Sequence, residues 1–278
     1  MTMRFDLSQA YSRIRLRGGT RVDFLQRMST GDLRQMQPGE CRATVLTTPI
    51  GRMVDYLLVV AQDDSLLLLG QGGAREKTLR WLRKHIFFSD DVQVNDESAA
   101  TELWAEFGVA FASRTTADGA LALRAPAQLG DGHFIVMPKP DAIAVNRALG
   151  DISAWDAYRI AQGYPTFPNE ISEDYIPLEA GLWGAVSFSK GCYTGQEIIA
   201  RMESRAQISK KLCILVGDVE AGVELLSETG EPAGKVTSTA PQVALGYIRS
   251  SLATEHARLQ PARGGTAHWV TLRAVVRI

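Results

Sequence analysis

Cysteine is scarce in this chain: only Cys41, Cys192 and Cys213 occur among 278 residues. An odd, sparse set builds no disulfide framework, so reduced thiols are expected. Charge of one sign is missing as well. Thirty Lys and Arg face 31 Asp and Glu, and a net charge of −1 creates no global field toward nucleic acid or membrane. No apolar run approaches the ~18 residues a membrane span needs. The opening residues carry Asp6 and scattered arginines where a signal peptide would be apolar, so a cytoplasmic location is expected. The four histidines (His85, His133, His256 and His268) are scattered. Neither they nor the cysteines have metal-ligand spacing or a nucleophile–base context, and no metal site is expected. The run from Gly70 to Ala74 is glycine-rich but lacks the spacing of a dinucleotide loop.

What is present is a core. With 45% hydrophobic and 22% charged residues, the chain reads as a globular protein of one large domain or two ordinary ones. Val22, Leu25 and Met28 stand at helical spacing behind Thr20, a candidate N-cap. The runs 43–47 and 52–60 flank Thr48-Pro-Ile-Gly51 as a hairpin would. Residues 65–70 form a further strand, and a helix is expected from about 74 to 85. Short strands dominate 92–138, and helices are expected near 141–149 and 153–162. After about 207, short strands punctuated by glycine turns predict a small closed β unit. The class is therefore α+β, with a body over residues 1–206 and a β-barrel-like domain over 207–278.

Cys213 lies in an apolar strand and Cys41 before another, the usual places for a packed thiol. Cys192 differs, because it sits in Ser189-Lys-Gly-Cys-Tyr-Thr-Gly-Gln-Glu197 just before an amphipathic run. Thr194 and Glu197 have the spacing of a capping box, which would place Cys192 just ahead of a helix N-terminus. Lys190 would add a second positive influence, and both would favour a thiolate. A small hydrophobe packed beneath a glycine turn remains the other reading.

The octapeptide Lys190-Gly-Cys-Tyr-Thr-Gly-Gln-Glu197 resembles the signature of the YgfZ-type folate-binding proteins, relatives of the aminomethyltransferase of the glycine cleavage system. Gly51-Arg-Met-Val-Asp55, Arg159 followed by Gly163, residues 176–182, and the tail segments 233–238 and 244–247 fall in the family's order. The resemblance implies an aminomethyltransferase-like, folate-binding α+β body with a small C-terminal β-barrel. It also implies bound tetrahydrofolate and a role in assembling or maintaining iron–sulfur enzymes, including one that modifies tRNA. Those enzymes and folate would be its partners. Neither membrane nor direct nucleic-acid contact is expected, the latter because no basic–aromatic interleaving stands out.

For the site, the resemblance makes Asp55 the first carboxylate candidate and Arg159 the residue facing the pterin. Tyr158 and Trp183 are possible apolar walls, and Cys192 with Lys190 forms the thiol centre. Each has an alternative: Asp55 on a solvent edge, Arg159 on a helix surface, the aromatics packed in the core. This chain departs from the transferase pattern in having Asp55-Tyr56 where paired acids are typical, and Ala161 in place of an acid. Only Gly130-Asp-Gly132 remains of the pterin-reading segment. A folate-dependent aminomethyltransferase or demethylase, with Asp55 as acid/base, is the competing expectation.

Overall fold

The structure is a computed structural model that describes residues 2–109, 120–139, 150–205, 208–262 and 269–278. Its first sheet is built from β2 (Tyr11–Arg17), β3 (Cys41–Thr47), β4 (Met53–Ala61), β5 (Ser65–Gln71) and β6 (Gln93–Asp96), in the order β3-β4-β5-β2-β6. The hairpin read at Thr48–Gly51 joins β3 to β4. All nine residues of β4 are buried, which requires cover on both faces. On one face α1 (Arg21–Met28) and α2 (Arg75–Lys84) bring Phe24, Leu25, Leu79 and Leu82 against Leu57 and Val59. On the other, Tyr56, Leu58 and Val60 join a core shared with a second sheet.

That second sheet runs β1-β7-β9-β8, from β1 (Met3–Asp6), β7 (Thr101–Phe107), β8 (Leu121–Arg124) and β9 (Gly132–Pro138). Against it lies α3 (Ile152–Ala161), whose Trp155 stacks on Phe107 with ring centres 6.1 Å apart. Asp151 caps this helix, its side chain accepting from Ala154 N at 2.8 Å. The helix expected near 141–149 lies outside the described residues.

A third unit closes on itself as a six-stranded barrel in the order β10-β13-β12-β11-β14-β15. Its strands are β10 (Lys210–Val216), β11 (Glu224–Leu226), β12 (Pro232–Ala240), β13 (Val243–Arg249), β14 (Arg258–Pro261) and β15 (Val270–Val275). Closure leaves no open sheet edge, and Cys213, Leu215, Val236, Ile248 and Leu272 fill the interior. Mixed α and β content with a closed C-terminal barrel is the fold class expected from the sequence.

Barrel and body are stitched by backbone. Leu212 N donates to Glu179 O at 2.8 Å, and Ile278 N to Gly181 O at 2.6 Å. Gly181 has φ +77°, and a Cβ there would stand 2.3 Å from the carbonyl oxygen of Val276. No side chain fits between these two segments. Gly181→Ala is expected to lower the thermal midpoint by several degrees, since both the positive φ and the clash cost free energy. An unchanged melting curve would show that this seam tolerates separation.

Candidate functional site

Lys190 is 5% exposed, and its ammonium is occupied. Nζ donates to the carbonyls of Gln26, Ser29 and Gly31 at 2.8, 2.6 and 2.6 Å. It thereby satisfies oxygens left over at and beyond the end of α1, where a cation is favourable. Burial pulls its pKa down to about 8. The ring of Tyr193 covers the same ammonium at 5.0 Å, and Thr194 N donates to Arg27 O at 3.0 Å. The segment is thus pinned on both sides of Cys192, which is itself exposed.

The capping box does not form. The last helix of the body, α4 (Gln196–Ser204), is entered through Gly195 at φ +84°, with no side-chain cap. A Cβ at Gly195 would stand 2.7 Å from Thr48 O, so this left-handed glycine sets the entry and starts the helix beyond the box. Glu197 instead pairs with Arg201 at 2.6 Å on the exposed face.

Asp55 is fully buried. Its Oδ1 accepts from Tyr56 N at 2.8 Å and Gln71 N at 3.1 Å, and its Oδ2 from Thr78 Oγ1 at 2.7 Å. It therefore ties α2 to β4 and β5, and no carboxylate oxygen faces an open site. The place expected to hold a ligand's donor edge is sealed. Burial outweighs these hydrogen bonds and pushes the pKa up to about 7.

Arg159 is likewise spent inside the protein. Nε donates to Asp156 Oδ1 at 2.6 Å, Nη1 to Glu170 Oε2 at 3.3 Å, and Nη2 to Ser238 Oγ on β12 at 3.2 Å. Neither a surface helix residue nor an open ligand contact, it joins α3 to the barrel. The Tyr158 hydroxyl donates to Leu129 O, and its ring packs on Phe107 at 4.8 Å. Trp183 is half-buried, with the guanidinium of Arg277 5.5 Å from its ring centre.

A cavity of about 340 Å³ opens where the first sheet, residues 124–127 and residues 184–185 meet. Cys41, Ala43, Tyr56 and Leu58 form one wall, and Arg124, Ala125, Pro126 and Ala127 another. Among the described residues no acidic side chain lines it. The structure brings none of Asp55, Arg159, Tyr158, Trp183, Lys190 and Cys192 into this lining. Strand alternation turns Tyr56 to the opposite side of β4 from Asp55 and into this lining. Burial pushes the Cys41 thiol up to about 12. A larger cavity of about 610 Å³ beside Tyr11, Arg13, Arg75 and Lys139 is polar and carries both signs of charge.

Residues 3–110 match the family model described as the GCVT N-terminal domain. A putative chloroplastic transferase of Arabidopsis thaliana is 29% identical over 90% of this chain, which spans 66% of that protein's length. An aminomethyltransferase of Bacillus subtilis is 25% identical over 87% of this chain and 76% of its own. A tRNA-modifying protein YgfZ of Escherichia coli is 26% identical over 77% and 73% respectively. The resemblance read from the octapeptide holds. The fold agrees: the glycine cleavage system aminomethyltransferase T of Bartonella henselae superposes with a TM-score of 0.85 at 20% identity, covering 98% of this chain and 85% of that one. Among the described residues no helix is long and apolar enough to cross a membrane, and no His, Cys, Asp and Glu group is placed to hold a metal.

The raised pKa of Asp55 has a consequence for stability. An acid that is harder to ionise when folded stabilises the fold below its unfolded pKa of 3.8 and loses that contribution as pH rises toward about 7. Asp55→Asn, which cannot ionise, is expected to gain thermal midpoint relative to the parent between pH 4 and 7. A difference independent of pH in that window would show that Asp55 titrates normally.

Proposed function

We propose that this chain is a tetrahydrofolate-binding accessory protein for iron–sulfur enzymes, among them one that modifies tRNA. It binds folate in the junction cavity and presents Cys192 as a free thiol. The observation that carries the choice of binding over transfer is the absence of an acidic side chain in that cavity among the described residues. A transferase needs a positioned group to move protons at the reacting nitrogen. Asp55 is sealed behind β4, and Tyr56 occupies the wall instead.

The residues present suit part of a folate. Leu58, Ala43 and the Tyr56 ring offer an apolar surface for a flat ring system, and Arg124 a cation for a carboxylate tail. When bound, tetrahydrofolate would supply one-carbon carrying capacity or act as a sensor ligand. The thiol is the second part of the reading, since Cys192 is exposed whereas Cys213 is buried and Cys41 half-buried. Iron–sulfur clusters normally take four ligands, so one thiol serves a transient contact with a client rather than stable holding.

Calorimetric titration with tetrahydrofolate tests the first part. The wild-type chain is expected to bind, and Ala127→Trp, which fills the cavity, to lose about tenfold or more. Equal affinity of both would remove the junction cavity as the site, and turnover of methylene-tetrahydrofolate would restore the transferase reading. For the second part, iodoacetamide is expected to label Cys192 in the folded protein and Cys213 only after unfolding. Cys192→Ala should retain folate affinity yet fail to restore a client enzyme in cells lacking this protein. Full restoration would make the thiol incidental.

A further inference from the structure

A strongly unbalanced stretch lies outside the cavity lining, at the end of α2. Residues 75–88 carry Arg75, Lys77, Arg80, Arg83 and Lys84 against one acid, Glu76, in a chain of net charge −1. Arg75 is engaged with Glu76 and Asp96, and Lys77 with Glu173. Arg80, Arg83 and Lys84 are exposed, and none forms an ion pair among the described residues. Arg80 Nε donates to Glu76 O and Arg83 Nη2 to Val94 O, both at 3.3 Å, so each guanidinium makes one contact to a carbonyl and none to a carboxylate among the described residues. Their i, i+3 and i+4 spacing sets the three on one side of the helix, about 5–6 Å apart at Cβ.

Directly beyond them stand two phenylalanines. Phe87 is 60% exposed and Phe88 is 106% exposed. An unburied aromatic pair forfeits the main favourable contribution of such side chains. The Phe87 ring is nevertheless held: the Arg27 guanidinium lies 5.8 Å from its centre. Asp90 fixes the loop by accepting from Phe87 N and Arg27 Nη2, both at 2.8 Å. Asp91 is turned to the start of α1, where it accepts from Gly19 N at 2.6 Å. Both acids that follow the phenylalanines are thus engaged within the fold.

The open ring of Phe88 beside a row of cations without carboxylate partners suits an unpaired nucleic-acid strand. Bases stack on the rings, and phosphates meet the cations. A membrane would demand a wider apolar face than two rings, and an acidic protein surface would leave the rings unused. We propose that the end of α2 and the Phe87-Phe88 loop bind single-stranded RNA, with Phe88 as the stacking platform and Arg80, Arg83 and Lys84 on successive phosphates. The choice of RNA over DNA rests on the tRNA-linked reading above; the single strand rests on this surface alone. Arg27 connects it to the thiol loop, because its carbonyl accepts from Thr194 N while its guanidinium meets Phe87.

Fluorescence anisotropy with labelled RNA of about 12 nucleotides tests this. Wild-type protein is expected to bind and to weaken as salt rises. Phe88→Ala should weaken binding about tenfold with an unchanged thermal midpoint. Arg83→Ala with Lys84→Ala should reduce the slope of log affinity against log salt by about 1.4. Absence of RNA binding, a Phe88→Ala variant as tight as wild type, or equal affinity for a single-stranded DNA oligomer of the same length and sequence would overturn the assignment. So would Phe88-dependent binding to phosphatidylserine vesicles in place of RNA. Tetrahydrofolate titration of Phe88→Ala should match wild type. Loss of folate binding in the wild type with RNA binding intact would sink the folate reading and leave this one standing.

Discussion

One buried ion pair joins α3 to the barrel. Glu170 is fully buried and Arg159 is 3% exposed, yet each is satisfied on several sides. Glu170 accepts from Arg159, from Thr166 N at 3.0 Å and from Ser238 Oγ at 2.6 Å, while its backbone carbonyl accepts from Tyr247 at 2.8 Å. The pair therefore touches α3, the 164–171 loop and two barrel strands. Such a pair adds little net stability over a well-packed apolar core, but losing one partner strands the other charge at about 3–5 kcal/mol. Its effect here is geometric, since it fixes where the barrel sits against α3 and hence the neighbouring junction.

That constraint separates two kinds of polar residue that look alike in sequence. Arg159, Asp55 and Lys190 each read as functional, an ionisable group in an apolar setting. In the structure each is enclosed by hydrogen bonds from neighbouring elements: barrel and loop for Arg159, α2 for Asp55, the end of α1 for Lys190. A charge with a complete set of partners is braced, and braced groups hold the walls of a site. The groups that remain available are plainer, a tyrosine and small residues at the junction and an exposed thiol on a pinned loop.

The architecture was largely legible because its periodicities are local. Runs flanking the turn residues Thr48–Gly51 mark β3, β4 and their hairpin, the apolar stripe marks α2, and glycine-spaced strands mark the barrel. The site was less so, since its partners lie far apart in the chain. Lys190 meets oxygens 159–164 positions earlier, a relation no spacing rule contains. The capping box from Thr194 to Glu197 fits the sequence pattern and fails because Gly195 adopts a left-handed conformation against Thr48. The exposure of Phe87 and Phe88 is hidden in the sequence for a different reason. The two phenylalanines look like core residues until the helix is seen to end at Lys84.

The anchoring of the thiol loop has a mechanical consequence. Lys190 and Thr194 tether it from both sides, yet nothing lies within 4 Å of where a side chain on Gly191 would begin. The exposed sulfur is carried like a tool on an arm fastened at both ends. A visiting protein could reach it without first prising anything apart.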